Sequence, residues 1–328
     1  MAQYKYLFGP VPSRRFRRSL GIDLTPFKTC SFNCMFCQCG TTTKLTAERA
    51  EFFPLADICA EISDWLKHDG IADVITFAGS GEPTLYSRLG ELIAFIKEKT
   101  TIPVILLSNG TLLHRADVRA ETALADIVKI SLSAWDEESF RRVNGPAPEI
   151  SFDQFMAGAK QFRREFSGEL RLEVFLMDGV NSAPEQVKKI AATAEEIMPD
   201  KIQLNTAVRP VADPAARAVD EKTLESFCEL FTPHAEIIAA FGRADVTPPS
   251  GIGRDGSPLP SAKNCGAQGT ERPALSELIE LIRRHPSTAA QLALITGAPA
   301  NEIKIALQPL VASGELTAEQ ISGEVFYR

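Results

Sequence analysis

Between residues 20 and 206 the chain alternates two apolar patterns. Short runs dense in β-branched and aliphatic residues occur at LGIDLT (20–25), DVITFAG (73–79), PVILLSN (103–109), DIVKISLS (126–133), LRLEVFLM (170–177) and KIQLNT (201–206). Between them lie longer segments whose apolar residues recur every three or four positions, over 54–68, 86–99, 115–123, 136–143 running on to 151–166, and 184–198. The first pattern predicts strands and the second amphipathic helices, with breaks at Gly, Pro, Asn and Ser. The strand runs are nearly continuous rather than alternating, which suits parallel strands covered on both faces. Strands alternating with helices predict an α/β fold, either an open doubly wound sheet or a complete or partial barrel. In either fold, functional residues collect at the carboxyl ends of strands.

After a further helical pattern near 220–241, the stretch 242–273 is rich in Gly, Pro and Ser and reads as a linker or ordered tail. The remainder shows three short helical patterns, LSELIELIRRH, TAAQLALIT and ANEIKIALQPLVASG, and then a hairpin-like ELTAEQISGEVFYR. The expected organisation is therefore a main domain over 1–241 with an N-terminal basic arm, the connection 242–273, and a winged-helix-like module over 274–328. The third helix of a winged helix is its DNA reader. Here it offers only Lys304, and the module has four basic residues (Arg283, Arg284, Lys304, Arg328) against six acids. That balance argues against DNA and for a protein- or substrate-docking module.

The 328 residues are 45% apolar and 23% charged, with a net charge of −7, values of an ordinary globular protein. Net acidity argues against a protein that coats nucleic acid. The first 22 residues nevertheless contain no acid and include Lys5, Arg14, Arg15, Arg17 and Arg18. They form either a solvated arm or a contact to an anionic substrate, with Arg14 and Arg15 as its candidates. No apolar run reaches signal-peptide length at the N-terminus or the roughly 18 residues that span a bilayer, which predicts a cytoplasmic protein without membrane partners. Cytoplasmic thiols stay reduced, so clustered cysteines point to metal or redox chemistry rather than disulfides.

Four of the seven cysteines lie in TCSFNCMFCQCG (29–40). Cys30, Cys34 and Cys37, directly after the first strand, have the spacing C-x3-C-x2-C. Three thiolates on one short loop can ligate three irons of a cubane iron–sulfur cluster and leave the fourth iron open as a reaction site. Structural zinc needs four ligands, usually as two separated pairs, and only Cys39 is near enough to be the fourth. Cys39 is otherwise a thiol beside the cluster, a redox partner or an acceptor. Cys59 and Cys228 fall in helical patterns and read as core, while Cys265, in KNCGAQG, is a thiol that could approach the active-site mouth.

With Phe36, the cysteines complete C-x3-C-x-aromatic-C, the hallmark of the radical S-adenosylmethionine superfamily, which the chain resembles over about residues 8–210. FAGSGEPTL resembles the family's glycine-rich motif: Gly79 and Gly81 would let the backbone approach the ligand, Ser80 between them is a further cofactor-binding candidate, and Glu82 would meet the methionine ammonium. In LLSNG, Ser108 and Asn109 are placed like the family's polar residues near the methionine moiety. In VKISLSA, Lys129, Ser131 and Ser133 share one strand face. The resemblance gives the methionine carboxylate to Ser131 and the ribose to Ser133, while Lys129 is a substrate contact or the buried partner of an acid such as Asp23. Met177 packs on adenine or is plain core, Asn205 reaches the adenine, and Arg209 faces the substrate. The resemblance implies a partial (β/α)6 TIM-like barrel, a 4Fe–4S cluster, reductive cleavage of S-adenosylmethionine to a 5'-deoxyadenosyl radical, and a flavodoxin- or ferredoxin-type electron donor under anaerobic conditions.

GPVPSRRFRRSLGIDLTPFKTC, the RVNGP at 142–146 that holds the substrate candidate Asn144, and IQLNTAVRP further resemble the wyosine-base-synthase-like group. Wyosine-base synthases build a tricyclic guanine in transfer RNA. Three readings stay open: modification of tRNA or a nucleoside; modification of a small molecule, peptide or protein, including glycyl radical enzyme activation; and an iron–sulfur or zinc regulator.

Overall fold

The computed structural model describes residues 4–13, 17–68, 70–239, 278–279, 281–282, 286–296, 298–321 and 323–328. Arg14, Arg15, Cys265 and the 242–273 connection lie outside the described residues.

The main sheet begins with a hairpin, β1 (Leu7–Ser13) running antiparallel to β2 (Arg17–Ile22). The arm that charge alone marked as solvated or substrate-facing is thus partly an edge strand. Arg18 is held by Asp73, with Nε to Oδ2 at 3.1 Å. Parallel strands follow in chain order: β3 (Val74–Phe77), β4 (Val104–Leu107), β5 (Ile127–Ser131), β6 (Glu169–Asp178), β7 (Lys201–Thr206) and β8 (Glu236–Ile237). Between them run α1 (Leu55–His68), α2 (Leu89–Lys99), α3 (Ala116–Thr122), α4 (Glu137–Asn144), α5 (Phe152–Glu165), α6 (Pro184–Ile197) and α7 (Glu221–Cys228).

Each parallel strand pairs with the next in sequence, from β2 through β8, and no strand order reverses. That decides between the two expected folds, because a doubly wound sheet needs a switch point. Right-handed crossovers repeated in one direction keep every helix on the same face, so the sheet curls toward a barrel. The sheet path ends at β1 on one side and β8 on the other, a partial TIM-like barrel.

The helices form for the reasons their sequences give. Ile58, Ile62 and Trp65 recur on one face of α1 and are buried against a core that includes Ile75 and Phe77. Asp136 and Ser139 form a capping box at the start of α4. Three expected boundaries move. The strand expected at 20–25 runs from Arg17 to Ile22. The pattern near 220–241 gives a helix ending at Cys228 and then the short strand β8. β5 ends at Ser131, leaving Ser133 in the following loop.

Polar residues on neighbouring strands pair with one another. Lys129 on β5 forms an ion pair with Glu173 on β6, an acid partner inside the barrel. Asn205 Nδ2 donates to Glu173 Oε1 at 2.7 Å, and Gln203 Nε2 to Glu236 Oε1 at 2.6 Å.

At the C-terminus, α8 (Ala289–Thr296) and α9 (Ala300–Ala312) pack on an antiparallel sheet of β9 (Ser287–Thr288), β10 (Ala318–Ile321) and β11 (Glu324–Tyr327), with β11 central. Leu292, Ile303, Leu307, Leu316 and Tyr327 form their own core. Arg328 Nη1 donates to the Val211 carbonyl at 3.0 Å, joining this unit to the loop after β7. No described helix is long and apolar enough to cross a membrane.

Candidate functional site

The thiols sit on the long segment between β2 and α1, which has little regular structure to hold it. Three devices fix it. Thr29–Cys30 pairs with Lys44–Leu45 as a two-residue parallel ladder. The Lys28 carbonyl accepts from the amides of Thr43 and Lys44, both at 3.1 Å. The carboxyl end of α4 clasps the stretch between the cysteines: Asn33 N–H donates to the carbonyls of Asn144 (3.0 Å) and Gly145 (2.9 Å), and Met35 N–H to that of Val143 (3.1 Å). Gly145 ends α4 with φ +51°, and a Cβ there would lie 2.9 Å from the Asn33 carbonyl. The RVNGP stretch is therefore a clasp for the cysteine segment.

Each of the three thiols faces an N–H donor from a different segment. Asn109 Nδ2 lies 3.6 Å from Cys30 Sγ, Asn144 Nδ2 3.7 Å from Cys34 Sγ, and Lys28 Nζ 2.9 Å from Cys37 Sγ. The Phe32 amide also donates to Cys30, at 3.4 Å. Burial pushes the Cys30 thiol up to about 12, and pushes that of Cys34 well above the usual thiol value. Cys37 behaves oppositely: hydrogen bonding with the neighbouring Cys39 and the Lys28 ammonium beside it hold its thiol well below the usual value. Cys39 is raised by the same pairing with Cys37 and by its burial. Lys28 is 2% exposed and was not singled out by sequence reasoning; its only signal is a lysine two positions before the first cysteine.

The residues fit a 4Fe–4S cluster: three thiols on one short segment, each with a donor that favours the thiolate able to ligate iron, and a buried cation against them.

The strand ends assemble around this segment, for reasons that differ in part from those expected. A Cβ on Gly79 would meet the Asp23 carboxyl carbon at 2.2 Å, and one on Gly81 the Thr29 carbonyl at 2.0 Å. These glycines let two stretches of the protein approach each other, and the contact they make is internal. Ser80 N–H and Oγ donate to Asp23, at 3.2 and 3.1 Å. Glu82, 2% exposed, has Oε1 accepting from Thr84 N–H, Thr84 Oγ1 and Ser108 Oγ, while Oε2 accepts from the Asn109 amide at 2.7 Å. It ties the loop after β3 to the loop after β4. Oε2, with one donor, keeps an acceptor position.

Of the remaining candidates, Ser131 is half-buried at the end of β5. Ser133 is 1% exposed and its Oγ accepts from the Phe175 amide at 3.0 Å, so its hydroxyl lies against protein where a ribose contact was expected. Met177 is enclosed by Val143, Phe175 and Ala207, as plain core. Phe36 stacks on Phe175 with centroids 4.4 Å apart. Asn205 is engaged with Glu173, and Arg209 is buried. Asn144, expected to face substrate, is buried with its amide on Cys34. Sequence reasoning also passed over Trp135, in the loop after β5, whose ring lies 6.0 Å from the Arg142 guanidinium carbon and 5.8 Å from Lys189 Nζ.

A cleft of about 470 Å³ on the helical side is lined by His114, Arg119, Lys160 and Arg164 among others, and none of the thiols lines it. Arg119 and Lys160 there are neutralised by Glu165 and Glu196, at 2.8 and 2.9 Å.

This combination of barrel and thiol segment agrees with the family comparison: the radical SAM superfamily model matches residues 24–193, and the chain belongs to that superfamily. It is an enzyme whose cofactors are a 4Fe–4S cluster and S-adenosylmethionine. Among relatives, a UPF0026 protein of Helicobacter pylori is 32% identical over 324 residues, 98% of this chain and 96% of that protein. A Brachyspira hyodysenteriae protein named GTPase Obg is 34% identical over 98% of this chain, which spans only 45% of that protein's length. The chain has no G-x4-G-K-S/T phosphate loop. A probable GTP 3',8-cyclase of Pyrobaculum aerophilum is 26% identical over 174 residues, 51% of each protein. Among solved structures, TYW1 with a lysine–pyruvate adduct superposes with a TM-score of 0.52 at 19% identity, covering 70% of this chain and 76% of that one, a likeness of fold.

Proposed function

We propose that Cys30, Cys34 and Cys37 hold the cluster, and that the enzyme starts its reaction by cleaving S-adenosylmethionine to methionine and a 5'-deoxyadenosyl radical, which takes a hydrogen atom from a guanine-type nucleotide or nucleoside, in tRNA or free. The observation that carries the ligand assignment is the set of three thiols, each facing its own N–H donor. The cluster supplies the single electron that the sulfonium cleavage requires.

The chain's own groups do the rest. Glu82 Oε2, with its remaining acceptor position, receives the methionine ammonium while its other oxygen keeps the two strand-end loops in register. Ser80, Ser108, Asn109 and Ser131 lie at the same strand ends as polar partners for the methionine moiety. Lys28, Asn109 and Asn144 donate to the thiols and orient them. The Lys129–Glu173–Asn205 network lines the strands below, and Arg209 follows β7. Enclosure of the reacting atoms and their orientation are the protein's share of such a reaction.

A nucleotide is supported by Trp135 with Arg142 and Lys189 against its ring, a combination suited to stacking a base and meeting phosphate. The similarity to a GTP-named cyclase and the wyosine-base-synthase-like motifs lean the same way. A second reading, action on a protein or peptide, is favoured by the acidic C-terminal unit, four basic residues against six acids, tethered to the loop after β7 through Arg328. We read that unit as a winged-helix-like docking module over 274–328, joined by 242–273 to a barrel over 1–241 that works in the cytoplasm with a flavodoxin- or ferredoxin-type donor.

The test is anaerobic reconstitution with iron and sulfide, reduction, addition of S-adenosylmethionine, and detection of 5'-deoxyadenosine by mass spectrometry with GTP, with unmodified tRNA and with neither. Stimulation by either nucleic component supports the proposal. Stimulation only by a protein fraction transfers it to the second reading, and bound zinc in place of a cluster rejects the ligand assignment.

A further inference from the structure

Lys28 combines three features that a lysine on a loop does not ordinarily share. It is 2% exposed. Its backbone is in the left-handed region at φ +57°, which non-glycine residues rarely adopt and which surrounding contacts must enforce. The two amides donating to its carbonyl supply that enforcement. Its ammonium makes a 2.9 Å hydrogen bond to Cys37 Sγ and, among the described ion pairs, none to a carboxylate. Lys129, the other buried lysine among the described residues, has Glu173. A buried charge is normally paired, so the partner of Lys28 is sulfur: the thiolates of Cys37 and its neighbours.

Resting on the proposal that Cys30, Cys34 and Cys37 hold the cluster, we infer that Lys28 is a positioning residue for electron transfer: a fixed cation at the Cys37 thiolate that raises the cluster's reduction potential. Reduction adds one electron, from the physiological donor or from dithionite in an assay, and breaks no bond. It makes the thiolate-ligated group one unit more negative. A cation at hydrogen-bond distance in a water-poor setting favours the more negative form, and so favours accepting the electron. Asn109 and Asn144 donate to the other two thiols without charge, which leaves the full positive charge on one side, at Cys37.

The experiment uses the full chain and three variants, Lys28→Met, Lys28→Gln and Lys28→Arg, each reconstituted anaerobically. Iron and sulfide are counted first, and an EPR-monitored redox titration with dithionite and mediators follows. At the potential where the parent is half reduced, the reduced-to-oxidised ratio of Lys28→Met and Lys28→Gln is expected to fall about tenfold, which for a one-electron couple is about 59 mV. Lys28→Arg keeps the parental midpoint. A neutral variant with full iron content and an unchanged midpoint overturns the inference. So does a pattern in which neither neutral variant loads iron while the arginine variant does, since the ammonium then serves to hold the cluster and not to tune it. A parent that loads no cluster, or one that survives loss of Cys37, instead rejects the ligand assignment.

Discussion

Replacing Gly81 with alanine separates two reasons for a glycine at a ligand-binding loop. The added Cβ would lie 2.0 Å from the Thr29 carbonyl oxygen and 2.4 Å from Thr25 Oγ1. The hydroxyl can rotate away, but the carbonyl belongs to the two-residue ladder that carries Cys30, so backbone must move. Forcing a methyl into such a contact costs about 1–3 kcal/mol. The 3.1 Å bond from the Glu82 amide to the Thr29 carbonyl is also lost, a further 0.5–1.5 kcal/mol or so. We therefore expect Gly81→Ala to destabilise the apo protein by about 1.5–4.5 kcal/mol in urea unfolding, and to lower iron loading because Thr29 moves with Cys30. If Gly81 instead served only to admit the ligand, apo stability would be unchanged and only S-adenosylmethionine binding would fall. An apo protein within about 0.5 kcal/mol of the parent refutes the packing argument.

Glu82→Gln should lower stability by about 1–3 kcal/mol, because an amide N–H then faces one of the four donors that the carboxylate now accepts; urea midpoints read this. Ser133→Ala should cost about 1 kcal/mol or more by leaving the Phe175 amide unpaired, with S-adenosylmethionine affinity unchanged by calorimetry; reduced affinity at parental stability would reinstate a ribose contact. Asp136→Ala removes the N-cap of α4 and should cost about 1 kcal/mol; iron content should fall too, since the far end of α4 clasps Asn33 and Met35. Cys34→Ala should yield neither the cluster absorbance nor 5'-deoxyadenosine, and normal turnover in that variant would exclude Cys34 as a ligand.

Five of the six expected strands were legible to within a residue or two, as at 201–206, which matches β7 end for end, because continuous apolar runs have few alternative uses, whereas the run at 20–25 is paired three residues earlier, over Arg17–Ile22. Barrel against open sheet was not legible in the periodicity, since strand order is a long-range property that no local period encodes; the motif resemblance alone implied the partial barrel that the strand order bears out. Side-chain roles divided along the same line. The cysteine spacing is local and its chemistry follows from it. Ser133 and Asn144 were placed by strand alternation or motif position, yet their hydroxyl and amide are taken by protein neighbours 42 and 110 residues away, while Met177 is the plain core that was the other of its two readings. Lys28 was passed over because burial, not residue type, makes it informative.

The conflict between a ligand-binding loop and a stable one is settled here by division of labour within single side chains. Glu82 uses one oxygen and part of the other for its own loops, and Asn109 gives its amide N–H to Glu82 and its side-chain amide to Cys30 and Ser31. A loop so tied is already ordered before any ligand arrives, so binding need not meet the entropy of ordering it. The same ties bring the thiol segment into register with the strand ends, through Cys30 and Asn109 on one side and Cys34 and Asn144 on the other. Substitutions at these positions should thus perturb stability and cluster loading together. Lys28 is the exception: among the described residues its ammonium is hydrogen-bonded to sulfur alone. That makes potential, measured at full iron content, the property by which its role can be separated from those of its neighbours.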